Sequence, residues 1–275
     1  MFYKVFSPPP FLKPFIHSIQ VMEVSKSVNS GGHKIVPYGF AGLIMHYKDP
    51  CLQTDRVNGT RLLPRIFIAG LTDQPVIIEG LGNIGTIAVN FYPSGLYHFL
   101  KTPSHELINV SVDACHLLGP GTERLIDDIQ SITDIINKVK RVNHFLVERF
   151  TYSVIRRNMQ IEYAQKKIIS SGGDVNITDL AASAGISLSS LERNFRKQTG
   201  FTPKYYAKIM RFNHVFRLLQ SGKSTSWQDI VYECGYYDQA HLIREFSTFT
   251  GETPGEFFSN THLSVSFYSG KHANL

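Results

Sequence analysis

The chain of 275 residues is 43% apolar and carries a net charge of +6, enough length and apolar content for two domains with their own cores. Its three cysteines, Cys51, Cys115 and Cys234, are widely spaced and form no CxxC or zinc pattern, which excludes a disulfide framework and points to a reduced, cytoplasmic protein. No stretch reaches membrane-spanning length and the opening MFYKVFSPPPFLKPF lacks the apolar run of a signal peptide, so no membrane role is expected.

Up to residue 120 the pattern is β-like. Short runs rich in β-branched and aromatic residues stand at 34–36, 42–47, 65–69, 75–78 and 86–92, punctuated by Gly and Pro. They predict a small antiparallel barrel or a double-sheet roll, whose mouth can hold a small ligand. Tyr38, Phe40, Tyr47, Phe91 and Tyr92 could line such a pocket, although aromatics in strands more often form core. His33, His46, His98, His105 and His116 offer no HxH or HExxH spacing. GxSxG and paired-carboxylate spacings are missing too, and Cys51 and Cys115 have no activating pattern nearby. Neither a metal, a cofactor nor an enzyme activity is expected.

From about Thr122 the spacing becomes helical. Leu125, Ile129, Ile132, Ile136 and Val139 step by threes and fours, and Leu146 follows seven after Val139. This seam suits helix pairing within a homodimer, with Asn143 able to specify register. Packing against the β-rich part is the alternative, and Asp134 after Thr133 could start a new helix and break the seam. Charge is concentrated here. Residues 138–159 hold Lys138, Lys140, Arg141, Arg149, Arg156 and Arg157 against Glu148 alone, whereas residues 1–137 and 160–260 are each within one charge of neutral. The basic run could hold phosphates or simply be a solvated helix face.

The C-terminal part contains an internal repeat. Leu191-x-Arg193-x-Phe195 followed by Thr199-Gly200-x-Thr202-Pro203 recurs 51 residues later as Leu242-x-Arg244-x-Phe246 followed by Thr250-Gly251-x-Thr253-Pro254. Upstream the offset is 50, since Asp179, Leu180 and Gly185 match Asp229, Ile230 and Gly235, so the second copy has one extra residue in its turn. Helix, Gly-centred turn, helix, used twice, predicts two helix-turn-helix units. In the first, Asn176 or Thr178 can cap a helix carrying Leu180 and Ala181, and Leu188, Leu191 and Phe195 share one face of the next. In the second, Ile230, Val231, Leu242 and Phe246 point inward. Outward stand Ser189, Glu192, Arg193, Arg196 and Lys197 in one unit and Gln239, Ala240, His241 and Arg244 in the other. Arg suits guanine, Gln suits adenine, Glu can accept from cytosine, and Ser and Lys more often hold phosphates. Between the units, Pro203 can start a helix whose apolar stripe, Tyr206, Ile209, Met210, Phe216 and Leu219, is interrupted by Asn213 and stops at Ser221-Gly222. At 1.5 Å per residue it spans about 27 Å, which could set two recognition helices about one DNA turn apart.

Residues 160 to 258 resemble the DNA-binding domain of the AraC/XylS family of bacterial transcription regulators, on the strength of DLAASAGISLSSLERNFRKQTGFTPKYY and DIVYECGYYDQAHLIREFSTFTGETPGEFF. The resemblance implies base contacts by Ser189, Glu192 and Arg193 and by Gln239, Ala240 and Arg244, with His241 on the DNA backbone. Ser190, Arg196 and Lys197 complete the candidate DNA-binding set. Sensor domains of this family are often cupin-like barrels, and the segment from Ala88 to Gly95 resembles the one they carry before a helix.

The expected fold is therefore α+β. It comprises a β-rich cupin-like barrel for sensing or dimerisation (1–120), a helical linker (121–159), an all-α AraC-type DNA-binding domain with two helix-turn-helix units (160–260) and a tail (261–275). The expected function is transcription regulation by sequence-specific binding of double-stranded DNA, under the control of a small effector on the N-terminal domain. An effector-independent regulator whose N-terminal domain only dimerises is the alternative. Recruitment of RNA polymerase as an activator is what the resemblance implies.

Overall fold

The computed structural model describes residues 1–26, 32–119, 121–151, 157–221 and 226–259. The tail expected over 261–275, Arg156 of the basic run and the Gly222 stop fall outside the described residues.

Ten strands occur among the described residues: β1 (Phe2–Phe6), β2 (Ile16–Val24), β3 (His33–Ile35), β4 (Ala41–His46), β5 (Cys51–Asp55), β6 (Gly59–Leu62), β7 (Ile66–Ala69), β8 (Val76–Gly80), β9 (Ile84–Phe91) and β10 (Ser111–Asp113). Antiparallel pairing arranges them as a six-stranded sheet, β1-β2-β9-β4-β7-β10, facing a four-stranded sheet, β3-β8-β5-β6. Strands β4 and β9 lie inside the larger sheet, in register from Ala41 opposite Phe91 to His46 opposite Thr86. Every residue of both is buried, which is why they read as unbroken apolar runs rather than as alternation. Leu43, Met45, Ile87 and Val89 belong to the main core, whereas Ile44, Phe67 and Ala88 pack with Cys51 and Ile78 of the second sheet. The expected runs cover β3, β4, β7, β8 and β9, while β1, β2, β5, β6 and β10 lie outside them.

The described residues also form eleven α-helices: α1 (Pro93–Leu100), α2 (Ala114–Leu118), α3 (Gly121–Ser131), α4 (Ile135–Thr151), α5 (Met159–Ser170), α6 (Ile177–Ser183), α7 (Leu188–Thr199), α8 (Pro203–Ser221), α9 (Trp227–Glu233), α10 (Gln239–Thr250) and α11 (Pro254–Ser259). The seam expected from Leu125 to Leu146 is not one helix. It breaks between α3 and α4, where the Asp134 carboxylate accepts from the Asn137 N–H (2.8 Å) and starts the second helix. Leu125, Ile129, Val139 and Leu146 turn into the main core, but Ile136 is 51% exposed.

The basic run is largely engaged within the molecule. Lys138 is buried over the Tyr47 ring and donates to the Ile129 carbonyl, Arg141 pairs with Asp128 (2.8 Å), Arg149 donates to the Leu118 carbonyl and Arg157 pairs with Glu162. Its phosphate-binding alternative finds no exposed stripe of these four side chains to rest on.

The main apolar core runs from Leu12 and Phe15 through the strands and α3–α4 to Phe246, Phe249 and Phe257. Helix α8 is the element that joins the two ends. Tyr206, Ile209, Met210, Phe212, Val215 and Phe216 are all buried, so the helix is covered on more sides than a single stripe implies.

Candidate nucleic-acid interface

The two helix-turn-helix units are built from strictly local instructions. Asn176 caps α6, its side chain accepting from the Thr178 and Asp179 N–H groups (2.8 and 3.2 Å), and Ser226 caps α9 through the Asp229 N–H (3.1 Å). Both helices end on a glycine with positive φ, Gly185 at +69° and Gly235 at +65°. A side chain there would be strained, and the geometry lets the next N–H turn back into the helix. Ile186 N donates to the Ala181 carbonyl (3.1 Å) and Tyr236 N to the Val231 carbonyl (2.9 Å), the same bond 50 residues apart. Ser187 then caps α7 and Asp238 caps α10. One residue lies between Gly185 and Ser187 and two lie between Gly235 and Asp238, which is the extra turn residue that the change of offset predicts.

Leu191 and Phe195 of α7 and Leu242 and Phe246 of α10 are each 1% exposed or less. Ala181 of α6 is only 2% exposed and small enough for close crossing. Leu188 departs from the expectation: it is 40% exposed, because it stands at the first residue of α7, ahead of the turn that meets α6.

Helix α7 turns Ser189, Glu192, Arg193, Arg196 and Lys197 to the outside. Ser190 is half-buried, and its hydroxyl lies 3.2 Å from the Asn194 amide nitrogen rather than pointing away from the helix. Gln239, Ala240 and Arg244 are exposed on α10, while His241 is half-buried with its ring against Tyr236 at 5.2 Å. Beneath them, Glu245 is buried and takes a two-pronged pair from Arg211 of α8 (3.1 and 2.9 Å) and a hydrogen bond from the Tyr236 hydroxyl (2.7 Å). Burial pulls the Arg211 pKa down, but its pairing with Glu245 outweighs this and the net movement is upward, so the guanidinium stays charged. That pair fixes α10 on α8. Two residues outside the expected set are the most exposed aromatics near the interface: Tyr232 at the end of α9 is 88% exposed and Tyr237 in the turn is 92% exposed. Residue identity alone does not mark them, since the neighbouring Tyr236 is only 7% exposed while Tyr237 stands open.

Both recognition helices are held by their far ends. The Ser104 hydroxyl donates to the Gln198 carbonyl in the last turn of α7 (2.7 Å). The Lys34 ammonium from β3 donates to the Thr250 carbonyl at the end of α10 (3.2 Å), pairs with Glu252 and lies over the Phe257 ring. Carbonyls at a helix C-terminus lack intrahelical partners and attract cations, so each contact suits its place. The N-terminal sheets also reach α8: the Tyr206 hydroxyl donates to the Gly39 carbonyl (3.0 Å) and Asn213 Nδ2 to the Pro37 carbonyl (3.1 Å). Asn213, the break in the expected stripe, is therefore buried and partnered. Grip at the back leaves the outward faces of α7 and α10 open.

Comparison with known proteins follows this division of the chain. Residues 180–260 match the model of a helix-turn-helix domain, and residues 4–113 match a domain of unknown function, DUF6597. The HTH-type transcriptional activator RhaS of Escherichia coli and that of Shigella boydii are each 30% identical to this chain over 101 residues, 37% of this chain. The match spans about a third of those relatives' length (35%). Among solved structures, a probable AraC family transcriptional regulator from Rhodopseudomonas palustris is 25% identical over 37% of this chain and 96% of its own, with a TM-score of 0.34. ToxT from Vibrio cholerae is 14% identical over 91% of this chain and all of its own, with a TM-score of 0.46.

Proposed function

We propose that the chain is a transcription regulator of the AraC/XylS type, whose helix-turn-helix domain reads double-stranded DNA with α7 and α10 in successive major grooves. The observation that supports this is the pairing of two capped helices, each open along its outward face, on the ends of one rigid connector. Helix α8 has 19 residues and so runs about 28 Å, close to the rise of one DNA turn. In this reading Arg193 and Arg244 donate to guanine edges and Gln239 pairs with adenine, while Ser189, Arg196 and Lys197 hold phosphates. Glu192 accepts from cytosine and Ala240 meets a thymine methyl. Ser190 and His241, both turned partly inward, serve the helix more than the DNA.

The chain divides into an N-terminal domain over 1–120, linker helices over 121–159 and the DNA-binding domain from 160. The N-terminal domain holds a small effector and acts on the DNA-binding domain through the contacts of Lys34, Pro37, Gly39 and Ser104. Ligand acts only through different affinity for two arrangements of the domains. Transcriptional activation and contact with RNA polymerase extend the reading by resemblance to the activators that the DNA-binding domain matches. Among the described residues, no helix is long and apolar enough to cross a membrane.

Selection of bound sequences from a random DNA pool by the full-length protein, at one fixed salt concentration, tests the DNA reading. Two boxes about one helical turn apart are expected. An enriched single box would refute two-groove binding, and no enrichment would refute sequence-specific recognition.

A further inference from the structure

Between the two sheets lies a cavity of about 100 Å³, walled by β3, β4, β7 and β8 and by the segments around residues 38–40, 70–74 and 109–111. Three features define what it can hold. Its walls are mainly apolar, with rings from Tyr38, Phe40 and Phe67. One end is polar and already ordered: the Gln53 amide donates to Asp55 (3.1 Å) and its carbonyl accepts from the Ser111 hydroxyl (2.9 Å), with Gln53 only 4% exposed. Among the described lining residues Asp55 alone is charged, and it is matched by Arg61 at 2.8 Å and by the Val57 and Asn58 N–H groups.

An anion entering this space would lose its hydration, find no cationic side chain in the lining and meet a carboxylate. A cation would compete with Arg61 for an acid that is already saturated. An uncharged molecule incurs neither cost. The volume is about two thirds of that of a cavity of about 150 Å³ known to take a benzene ring, which limits an occupant to a single small ring. From this we infer that the cavity binds a compact, uncharged ring compound carrying one hydrogen-bonding group, which meets Gln53 and Ser111.

Binding here reaches the DNA-binding helices by two short routes. On one rim, Tyr38 and Phe40 flank Gly39, whose carbonyl accepts from Tyr206; a side chain at Gly39 would lie 2.6 Å from the Met210 sulfur. On the other rim, the Asn109 carboxamide accepts from the Thr72 hydroxyl (2.8 Å) and donates to Asp73 (2.8 Å), and the second oxygen of Asp73 accepts from the Tyr205 hydroxyl (3.1 Å). Consecutive residues at the start of α8 therefore hold two different segments at the edge of one cavity. A ligand that spreads the rims changes both contacts at once.

The inference rests on the reading that the N-terminal domain holds an effector, and its test separates the two. Full-length protein is titrated with benzyl alcohol, benzoate and benzylammonium, three probes of one shape, by thermal shift and by NMR. The same probes are then added to the complex with its selected DNA. Benzyl alcohol is expected to bind at least about tenfold more tightly than either ion. Ala69→Leu, which fills the cavity, is expected to abolish binding, and Ser111→Ala to weaken it about tenfold while leaving the fold intact. Equal or tighter binding of benzoate or benzylammonium overturns the uncharged class. Undiminished binding to both variants overturns the site, and no binding of any probe overturns both. Should benzyl alcohol bind as expected with DNA affinity unchanged, the ligand class stands and the effector reading fails. A change in DNA affinity on benzoate alone leaves the effector reading standing and overturns the class.

Discussion

Tyr206→Phe isolates the hold of the N-terminal sheets on α8. The ring is fully buried and packs against Phe195 at 5.7 Å, so the variant keeps the apolar contacts and removes only the hydroxyl. What it leaves behind is the carbonyl of Gly39, itself buried and deprived of its donor at 3.0 Å. A neutral hydrogen bond contributes about 0.5–1.5 kcal/mol, and an orphaned buried acceptor raises the cost to about 1–3 kcal/mol. Asn213→Leu should cost about the same by stranding the Pro37 carbonyl, since the Ile209 carbonyl that Asn213 also binds lies within the helix ladder. The two variants act on one segment, residues 37–39, so the double variant should cost less than their sum. Urea unfolding followed by the fluorescence of Trp227, the single tryptophan, reads the effect in the second helix-turn-helix unit. Tyr205→Phe, half-buried and facing Asp73, is the milder control. If Tyr206→Phe changed stability by less than about 0.5 kcal/mol and the amides of 38–40 exchanged no faster, the docking of α8 on the sheets would be wrong.

Arg193→Ala and Arg244→Ala should each cost about 1–3 kcal/mol on the selected DNA and relax preference at separate positions about one turn apart, measured by fluorescence anisotropy. Equal loss on random DNA would make both residues phosphate contacts. Tyr237→Ala should leave urea stability within about 0.5 kcal/mol, since the side chain is almost wholly exposed, yet weaken DNA binding by about 0.5–1.5 kcal/mol through loss of a hydroxyl contact. Unchanged affinity would remove Tyr237 from the interface. His46 supplies a pH dependence. Burial holds its imidazole pKa down at about 4, so as pH falls below the ordinary value of about 6.5 the unfolded chain takes up the proton first. Its contribution is complete above about pH 6.5 and is lost as pH falls through 4, up to about 3 kcal/mol. His46→Gln should narrow the gap between urea midpoints at pH 7.5 and 5, and an unchanged gap would exclude His46 as its source.

What was legible in the sequence is what depends on near neighbours. Caps, glycine turns and three-four spacing place α6, α7, α9 and α10 because each acts within five or six residues. Strands β4 and β9 announce themselves because both faces are buried. Strands β5 and β6 do not, since Gln53, Thr54, Asp55, Thr60 and Arg61 serve a polar cavity end and an open surface, where no apolar alternation is needed. Partners far along the chain were illegible for the opposite reason. Lys34 reads as a strand lysine until Thr250 and Glu252 arrive beside it, and Arg141, Arg149 and Arg157 read equally as phosphate contacts or as a solvated helix face until Asp128, the Leu118 carbonyl and Glu162 claim them. The candidate DNA-facing set shows the same limit on a small scale: helical spacing puts Ser190 near the outward side, but only the placement of Asn194 shows its hydroxyl turned along the helix.

Holding the recognition helices by their C-terminal ends has a consequence for control. Ser104 and Lys34 grip α7 and α10 away from the outward residues, so the N-terminal domain need not move aside for DNA to approach. In the proposed reading its influence is exerted instead on the relative setting of the two helices, through α8 and these two end contacts. A setting mismatched to successive grooves lets one helix bind at a time and loses the gain of joint binding. The energy available for this switch is bounded. A ligand of benzene size gains at most about 1.5 kcal/mol per heavy atom, and only the part that differs between the two settings counts. Coupling between sites is typically about 1–3 kcal/mol, or about 5- to 150-fold in affinity. That range equals the cost of losing one or two of the hydrogen bonds at Gly39, Pro37 and Asp73. In the proposed reading a compact ligand acts as a switch here by breaking these few separable contacts while the continuous apolar core beneath them stays packed.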